Sequence, residues 1–280
     1  MDYLNAQGME RRRKMKNGCI DLGGTEMYYV SFGKGKKNLV VLPGLSDGLA
    51  TVKGKAFILS KPYKKFLKDY TVYMFSRKNK MPDGYSIKDM AEDQVRAMKL
   101  IGIEKTCVLG VSQGGMISQY IAINHPETVE KLILTVTAPY ANDIVRNAVS
   151  GWIEMAEMGD HKSLMIDTAK KTYSQGYLKK NMKFMPLLAK FTKPKSYERF
   201  LKNANAILGF DARSEVHKIK CPTLIIAGDD DNTVGNNAPN ELHAAITGSE
   251  TFIYKGLGHG AYDEGKDFYD RVLEFCNSNY

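Results

Sequence analysis

The stretch TCVLGVSQGGMISQYIAI, residues 106–123, decides the fold. Its first part, TCVLGV, is an apolar, β-branched run of strand type, and it passes without a linker into SQGGMISQYIAINH, which reads as a helix. A chain that goes directly from strand to helix makes a tight turn, and the residue at the apex, Ser112, adopts a strained conformation that lifts its side chain clear of the sheet. Gly110 and Gly114 remove the side chains that such crowding forbids. Ser112 would then present its hydroxyl above a helix N-terminus, where backbone N–H groups and the helix dipole stabilise an oxyanion. A serine N-cap after a glycine turn is the plainer reading of the same letters. The surrounding sequence has to decide between them.

Outward from this junction, short apolar runs alternate with longer amphipathic stretches: NLVVLPG, YTVYMFS, TCVLGVS, KLILTVT, PTLIIAG and ETFIYKG. That alternation predicts an α/β protein, a mostly parallel eight-stranded sheet with helices on both faces. Between the second and third runs, Ile87, Met90, Ala91, Val95, Met98 and Ile101 recur at helical spacing, with Ser86 as N-cap and Gly102 just past the C-terminus. Before the series, GCIDLGGTEMYYVSFG alternates around a Gly-Gly break, as an antiparallel hairpin at one sheet edge would.

The alternation stops between Ala138 and Lys220, where helical pattern takes over. The expected division is therefore a core domain of residues 1–137 and 221–280, with residues 138–220 inserted as a helical cap. Ile144, Ala148, Trp152 and Met155 fall on one predicted stripe, Phe200, Ala204 and Ile207 on another, and Pro194 marks a break. Met155, Met158, Met165, Met182 and Met185 lie here with Trp152, the only tryptophan. Packing accounts for most of these side chains; a few are candidates to line an adaptable apolar pocket.

Composition excludes several classes. At 280 residues, 43% hydrophobic and 25% charged, the chain is globular and long enough for a substantial core. The net charge of +9 comes from 40 basic against 31 acidic residues, densest at Arg11, Arg12, Arg13, Lys14 and Lys16. Because the other lysines are scattered through predicted helices without a recognition motif, solvated faces explain them and no nucleic-acid partner is expected. No apolar run approaches a membrane span, and the N-terminus lacks a signal-peptide core, so a cytoplasmic protein is expected. Cys19, Cys107, Cys221 and Cys276 are far apart and read as free, mostly buried thiols; no metal spacing and no cofactor motif is present.

A serine hydroxyl becomes a nucleophile when a histidine accepts its proton and a carboxylate holds that histidine's tautomer. Of five histidines, His125 ends the helix that Ser112 begins, while His161, His217 and His243 fall in helical or linking segments where surface histidines are ordinary. His259 alone sits in a glycine-lined turn, GLGHGAYDE, directly after the last strand, at the edge where parallel sheets keep their chemistry. The acid should also follow a strand, and PTLIIAGDDDNTV offers Asp229, Asp230 and Asp231. Composition does not choose among them.

From about residue 20 onward the chain resembles the α/β-hydrolase fold superfamily, in particular serine hydrolases with a helical cap between the sixth and seventh strands. The resemblance is carried by VLPGLSD, YSIKDMAEDQVRAMKLIGIEKTCVLGVSQGG, HPETVEKLIL, IKCPTLIIAGDDDNTV and GLGHGAYDE, in the order nucleophile, acid, base. The family's Gly-x-x-Asp-x-x-Val after the seventh strand falls on Gly228, Asp231 and Val234, which implies Asp231 as the acid. It also implies oxyanion N–H groups on Leu45 and Gln113. Two departures stand out: Pro43-Gly44 replaces the common His-Gly, and SRKNKMPDG replaces an Asp-x-Arg-Gly-x-Gly-like turn. The resulting expectation is a cofactor-independent serine hydrolase acting on carboxylic esters of a moderately apolar small molecule through an acyl-enzyme. An amide or peptide hydrolase of proline-iminopeptidase type, a C–C hydrolase, an acyltransferase, or a receptor-like binding protein that retains the triad remain alternatives.

Overall fold

A computed structural model describes residues 15–279. The basic run Arg11–Lys14 lies outside them; Lys16 is in the first strand, its ammonium 5.5 Å from the Tyr29 ring centre. Strands β1 (Met15–Asp21), β2 (Glu26–Gly33), β3 (Lys37–Leu42), β4 (Tyr70–Lys78), β5 (Thr106–Val111), β6 (Val129–Thr135), β7 (Thr223–Gly228) and β8 (Glu250–Tyr254) form one eight-stranded sheet. Their order is β1-β2-β4-β3-β5-β6-β7-β8. β1 and β2 form the expected antiparallel hairpin, β2 also runs antiparallel to β4, and every pairing from β4 through β8 is parallel.

The helices are α1 (Ala56–Leu59), α2 (Ile87–Leu100), α3 (Gln113–Asn124), α4 (Asp143–Glu157), α5 (His161–Thr172), α6 (Gln175–Asn181), α7 (Met185–Thr192), α8 (Glu198–Leu208), α9 (Ala238–Ala245), α10 (Ala261–Glu264) and α11 (Phe268–Asn277). α2 begins on a capping box in which the Ser86 hydroxyl and the Asp89 carboxylate each accept the other residue's backbone N–H. Gly102 at its far end adopts φ 79°, the left-handed conformation that ends helices most cheaply at glycine.

The sheet separates two apolar cores, and strand periodicity distributes the side chains. Along β3, Val40 and Leu42 enter the core that holds α2, α3 and much of the insert, while Leu39 and Val41 enter the one under α11. Both faces being covered explains why these strands read as unbroken apolar runs. Among the described residues no helix is long and apolar enough to cross a membrane.

Between β6 and β7 the chain forms α4 to α8. The predicted stripe on α8 is buried, but that on α4 is rotated. Val145, Ala148, Val149, Trp152 and Ala156 are buried, whereas Ile144 is 46% exposed. Ile144 and Val145 are neighbours about 100° apart on the helix wheel, and Val145 extends the better i, i+3, i+4, i+7 series. Met158 is exposed, and Met185 packs with Leu178 and Ala169 inside the insert. Of the cysteines, Cys107 and Cys276 are buried, Cys221 is half-buried and Cys19 is exposed; all four are free. Cys19 departs from the expected burial because it lies on an edge strand whose side chains alternate toward solvent.

Candidate active site

Three loops at one edge of the sheet build the site. β5 ends at Val111 and α3 starts at Gln113, leaving Ser112 between them at φ 54° and ψ −118°. A non-glycine residue at positive φ costs on the order of 1–3 kcal/mol and persists only where its surroundings over-determine it. Here they do. The Ser112 N–H donates to the Thr135 carbonyl at 2.9 Å, and the Ser112 carbonyl accepts from the Gly115 N–H at 2.8 Å and from the Thr137 hydroxyl at 2.8 Å. Val136, at φ 44°, is the other non-glycine residue at positive φ among the described residues, and it carries the chain from Thr135 to Thr137, both of which bond Ser112. The expected glycines are required by space: a Cβ on Gly114 would stand 1.9 Å from the Leu42 carbonyl oxygen, and one on Gly110 2.3 Å from the Ser118 hydroxyl.

β7 delivers the acids and β8 the histidine. His259 Nε2 lies 2.9 Å from Ser112 Oγ, and Nδ1 lies 2.8 Å from Asp231 Oδ2. Asp231 Oδ1 accepts the backbone N–H groups of Thr233 and Val234 at 2.8 and 2.9 Å. A carboxylate so placed is an acceptor, so the imidazole Nδ1 carries the proton and Nε2 faces the serine hydroxyl with its lone pair. Asp231 and His259 are both buried, which shields the pair from competing water. The neighbouring carboxylates are engaged elsewhere. Asp229 accepts from the Gly256 N–H at 2.7 Å and pairs with Lys255, which holds its carboxyl below the usual range, the Gly256 bond being the main cause. Asp230 accepts from the Asn232 amide at 3.3 Å. Of the three carboxylates that composition left open, the structure brings only Asp231 to His259.

Gly44 lies against the serine, since a Cβ built on it would be 3.3 Å from Ser112 Cβ. Leu45 follows, opening a 3-10 turn (Leu45–Gly48), and Gln113 opens α3. Among the described residues neither backbone N–H donates to another group, as expected for first-turn donors.

Sequence reasoning missed a buried network behind these two donors. Arg77 is fully buried, and its Nη2 donates both to the Pro43 carbonyl at 2.6 Å and to Gln113 Oε1 at 2.9 Å. Gln113 Nε2 in turn donates to the Asn203 carbonyl on α8 at 2.7 Å. Asp47 Oδ2 accepts the Arg77 backbone N–H at 2.9 Å and the Arg199 guanidinium at 2.7 Å. Burial pushes the Arg77 pKa down to about 10, against the opposing pull of Asp47. The two departures from the family pattern thus meet: the arginine of SRKNKMPDG is bonded to the carbonyl of Pro43. Contacts between residues 30 or more positions apart leave no periodic trace, so only the unusual segments SRKNKMPDG and Pro43-Gly44 were visible in sequence.

The other histidines lie apart from the site. His125 bonds Glu92 at 2.9 Å, and His243 Nδ1 lies 2.9 Å from the Ser249 hydroxyl. His161, expected on the surface, is buried in the insert beside Thr192, and its pKa is lowered by burial. The Thr192 hydroxyl at 3.1 Å and the Tyr197 ring, its centre 5.9 Å away, lie against the imidazole from later in the insert. The insert itself touches every loop of the site. Besides the Asn203 bond, the Lys171 carbonyl accepts from the Thr233 hydroxyl at 3.3 Å, the Thr172 carbonyl from the Gly260 N–H at 2.6 Å, and Asn142 donates to the Val234 carbonyl at 2.8 Å. Trp152 is buried in the main core with its indole N–H on Asp167 at 2.8 Å.

A mostly parallel eight-stranded sheet of this order, with helices on both faces, defines an α/β-hydrolase fold. The model of the alpha/beta hydrolase fold family matches residues 69–266, and the chain belongs to that family. It is 27% identical over 207 residues to the AB hydrolase superfamily protein YisY of Bacillus subtilis (strain 168), covering 70% of this chain and 75% of that one. Among solved structures it is similar to MGS-M2, an alpha/beta hydrolase enzyme from a Medee basin deep-sea metagenome library, with a TM-score of 0.84, 18% identity and coverage of 94% and 98%. It is also similar to the enol-lactonase from Burkholderia xenovorans LB400, with a TM-score of 0.77, 20% identity and coverage of 93% and 100%.

Proposed function

We propose that the protein is a serine hydrolase that cleaves carboxylic esters through an acyl-enzyme. The observation that supports this best is the continuous hydrogen-bonded chain from Asp231 through His259 to Ser112, with links of 2.8 and 2.9 Å. Ser112 Oγ attacks the ester carbonyl while His259 Nε2 takes its proton. The tetrahedral oxyanion is held by the Leu45 and Gln113 N–H groups. Collapse expels the alcohol, which receives the proton from His259. A water deprotonated by the same nitrogen then attacks the acyl-serine, releasing the carboxylic acid and regenerating Ser112. Asp231 holds the imidazole tautomer throughout and stabilises the imidazolium as it forms. In this reading residues 138–220 act as a cap that covers the nucleophile and shapes an apolar acyl or alcohol site, with Trp152 and Met155 as its selecting side chains.

The test pairs turnover with trapping. Wild-type protein should hydrolyse p-nitrophenyl esters of graded chain length faster than aminoacyl anilides. It should also gain one phosphonyl group from a fluorophosphonate probe, located on Ser112 by peptide mass. Ser112→Ala should remain folded and lose activity by several orders of magnitude. Retention of more than a few per cent of turnover would remove Ser112 from the mechanism, and faster anilide cleavage would reassign the bond. Labelling without turnover of any ester would favour a receptor-like role.

A further inference from the structure

The insert carries a surface that the hydrolytic site does not use. Phe184, Leu187, Leu188 and Phe191 are exposed by 56%, 58%, 45% and 78%. They recur at i, i+3, i+4 and i+7 and so share one stripe along α7. Met185 and Ala189, on a different stripe, are the residues that α7 buries. Single exposed apolar residues are ordinary, but four large ones on one short helix face form a patch that marks an interaction surface.

Along the segment that carries the patch the charge has one sign, and the carboxylates that reach it from outside, Asp167, Asp263 and Glu264, are bonded to Lys171, Tyr173 and Ser174. From Thr168 to Tyr197 the chain contains eight lysines and no aspartate or glutamate. Lys171 pairs with Asp167, and Lys193 donates to the Gly159 carbonyl at 3.1 Å. Lys179, Lys180, Lys183, Lys190 and Lys195 are exposed, and among the described residues none of them is ion-paired. The Lys183 ammonium lies 5.0 Å from the Phe184 ring centre, so its stem runs along the apolar stripe. A second copy of the chain fits this surface poorly, because a two-fold contact would set lysines against lysines. An anionic bilayer fits both parts. The aromatic and leucine side chains enter the boundary between headgroups and acyl chains, while lysine stems lie along the helix and their ammonium groups reach lipid phosphates.

We propose that α7 and its flanking lysines form a docking surface for anionic lipid membranes, with the helix lying in the plane of the interface rather than across it. The proposal stands independently of which bond the active site cleaves. Its test is sedimentation of the full chain with vesicles of phosphatidylcholine alone and of phosphatidylcholine mixed with phosphatidylglycerol. The expected result is binding to the mixed vesicles at least about tenfold stronger than to the neutral ones, released as salt is raised. Leu187→Ser with Phe191→Ser, and separately Lys183→Glu with Lys190→Glu, should each weaken binding by at least about fivefold. Both double variants should stay within a few degrees of the wild-type Tm, since these side chains are largely exposed. No binding to anionic vesicles at low salt, or equal binding by wild type and both variants, overturns the proposal. So does a wild-type dimer in sedimentation equilibrium that the Leu187→Ser, Phe191→Ser variant dissolves, which would give the patch to a second copy.

Discussion

Asp231 and Arg77 show how much of this site depends on single side chains held from several directions. Asp231 uses one oxygen to fix its own loop and the other to fix His259. Asp231→Asn keeps the shape but favours the wrong imidazole tautomer, and kcat on p-nitrophenyl acetate should fall by about three to four orders of magnitude. Asp229→Asn and Asp230→Asn, whose partners are Gly256, Lys255 and Asn232, should leave kcat near wild type. A comparable loss in either would move the acid. Arg77 acts through others, joining the carbonyl of Pro43 to the side chain of Gln113 with one nitrogen. The planar guanidinium fixes Nη2 at a set distance from a backbone that is itself bonded to Asp47, whereas a lysine ammonium is a rotating point donor on a shorter stem. Arg77→Lys should therefore lower kcat by roughly 10- to 100-fold by loosening the loop and helix start that carry the proposed oxyanion donors, with KM little changed. A rise in KM at constant kcat would instead assign Arg77 to substrate binding.

At the level of elements, the strand–turn–helix junction is the most constrained piece. Its constraint is steric, which is why it could be read from letters alone. Gly114→Ala drives a methyl group into the Leu42 carbonyl at the end of β3. It should lower stability by about 1–3 kcal/mol, as overpacking does, and it should also depress kcat because β3 leads into the Pro43–Leu45 loop; a guanidinium midpoint equal to wild type would contradict this. Strands and α2 were legible for the same reason, since two covered sheet faces and a capped amphipathic helix impose local patterns. The insert was less legible. Its helices pack on one another and on loops, so the face each one buries is chosen by partners distant in sequence, and Val145 rather than Ile144 points inward on α4. Likewise His259 stood out in its glycine turn, whereas Asp47, Arg199 and Asn203 gave no signal because each is bonded to residues far along the chain. For Trp152, buried on α4 within the insert, Trp152→Phe removes the bond to Asp167 and keeps an aromatic ring of smaller volume. If the insert selects substrate, Met155→Ala and Trp152→Phe should shift chain-length preference in kcat/KM more than they change hydrolysis of acetyl esters. Uniform losses across the series would leave the insert only a scaffolding role.

Over the whole molecule, buried and half-buried tyrosines should set the alkaline limit. Burial raises the Tyr63 hydroxyl well above its ordinary value and pushes Tyr262 up to about 12; Tyr70, Tyr85, Tyr173, Tyr254 and Tyr269 are raised for the same leading reason. A group whose folded pKa lies above its unfolded one stabilises the fold below the unfolded value, near pH 10, and loses that contribution as pH rises through the folded value. Each such tyrosine removes up to about 1.4 kcal/mol per pH unit in that window. Arg77, pushed down to about 10, works in the opposite direction but is outnumbered. The guanidinium midpoint should fall as pH rises above about 10, less steeply in Tyr63→Phe, and a flat profile would refute this. The same long-range architecture has a consequence in time. The chain of hydrogen bonds at the site joins residues 112, 231 and 259, and its last member follows β8, the last strand of the sheet in chain order among the described residues. A polypeptide emerging from the ribosome therefore carries its serine with no base beside it until His259, 147 residues later, has been made. Partly made or partly refolded molecules should be chemically silent. On dilution from denaturant, far-ultraviolet circular dichroism should recover before fluorophosphonate labelling of Ser112 does, because a reactive serine exists only once the far end of the chain has come home.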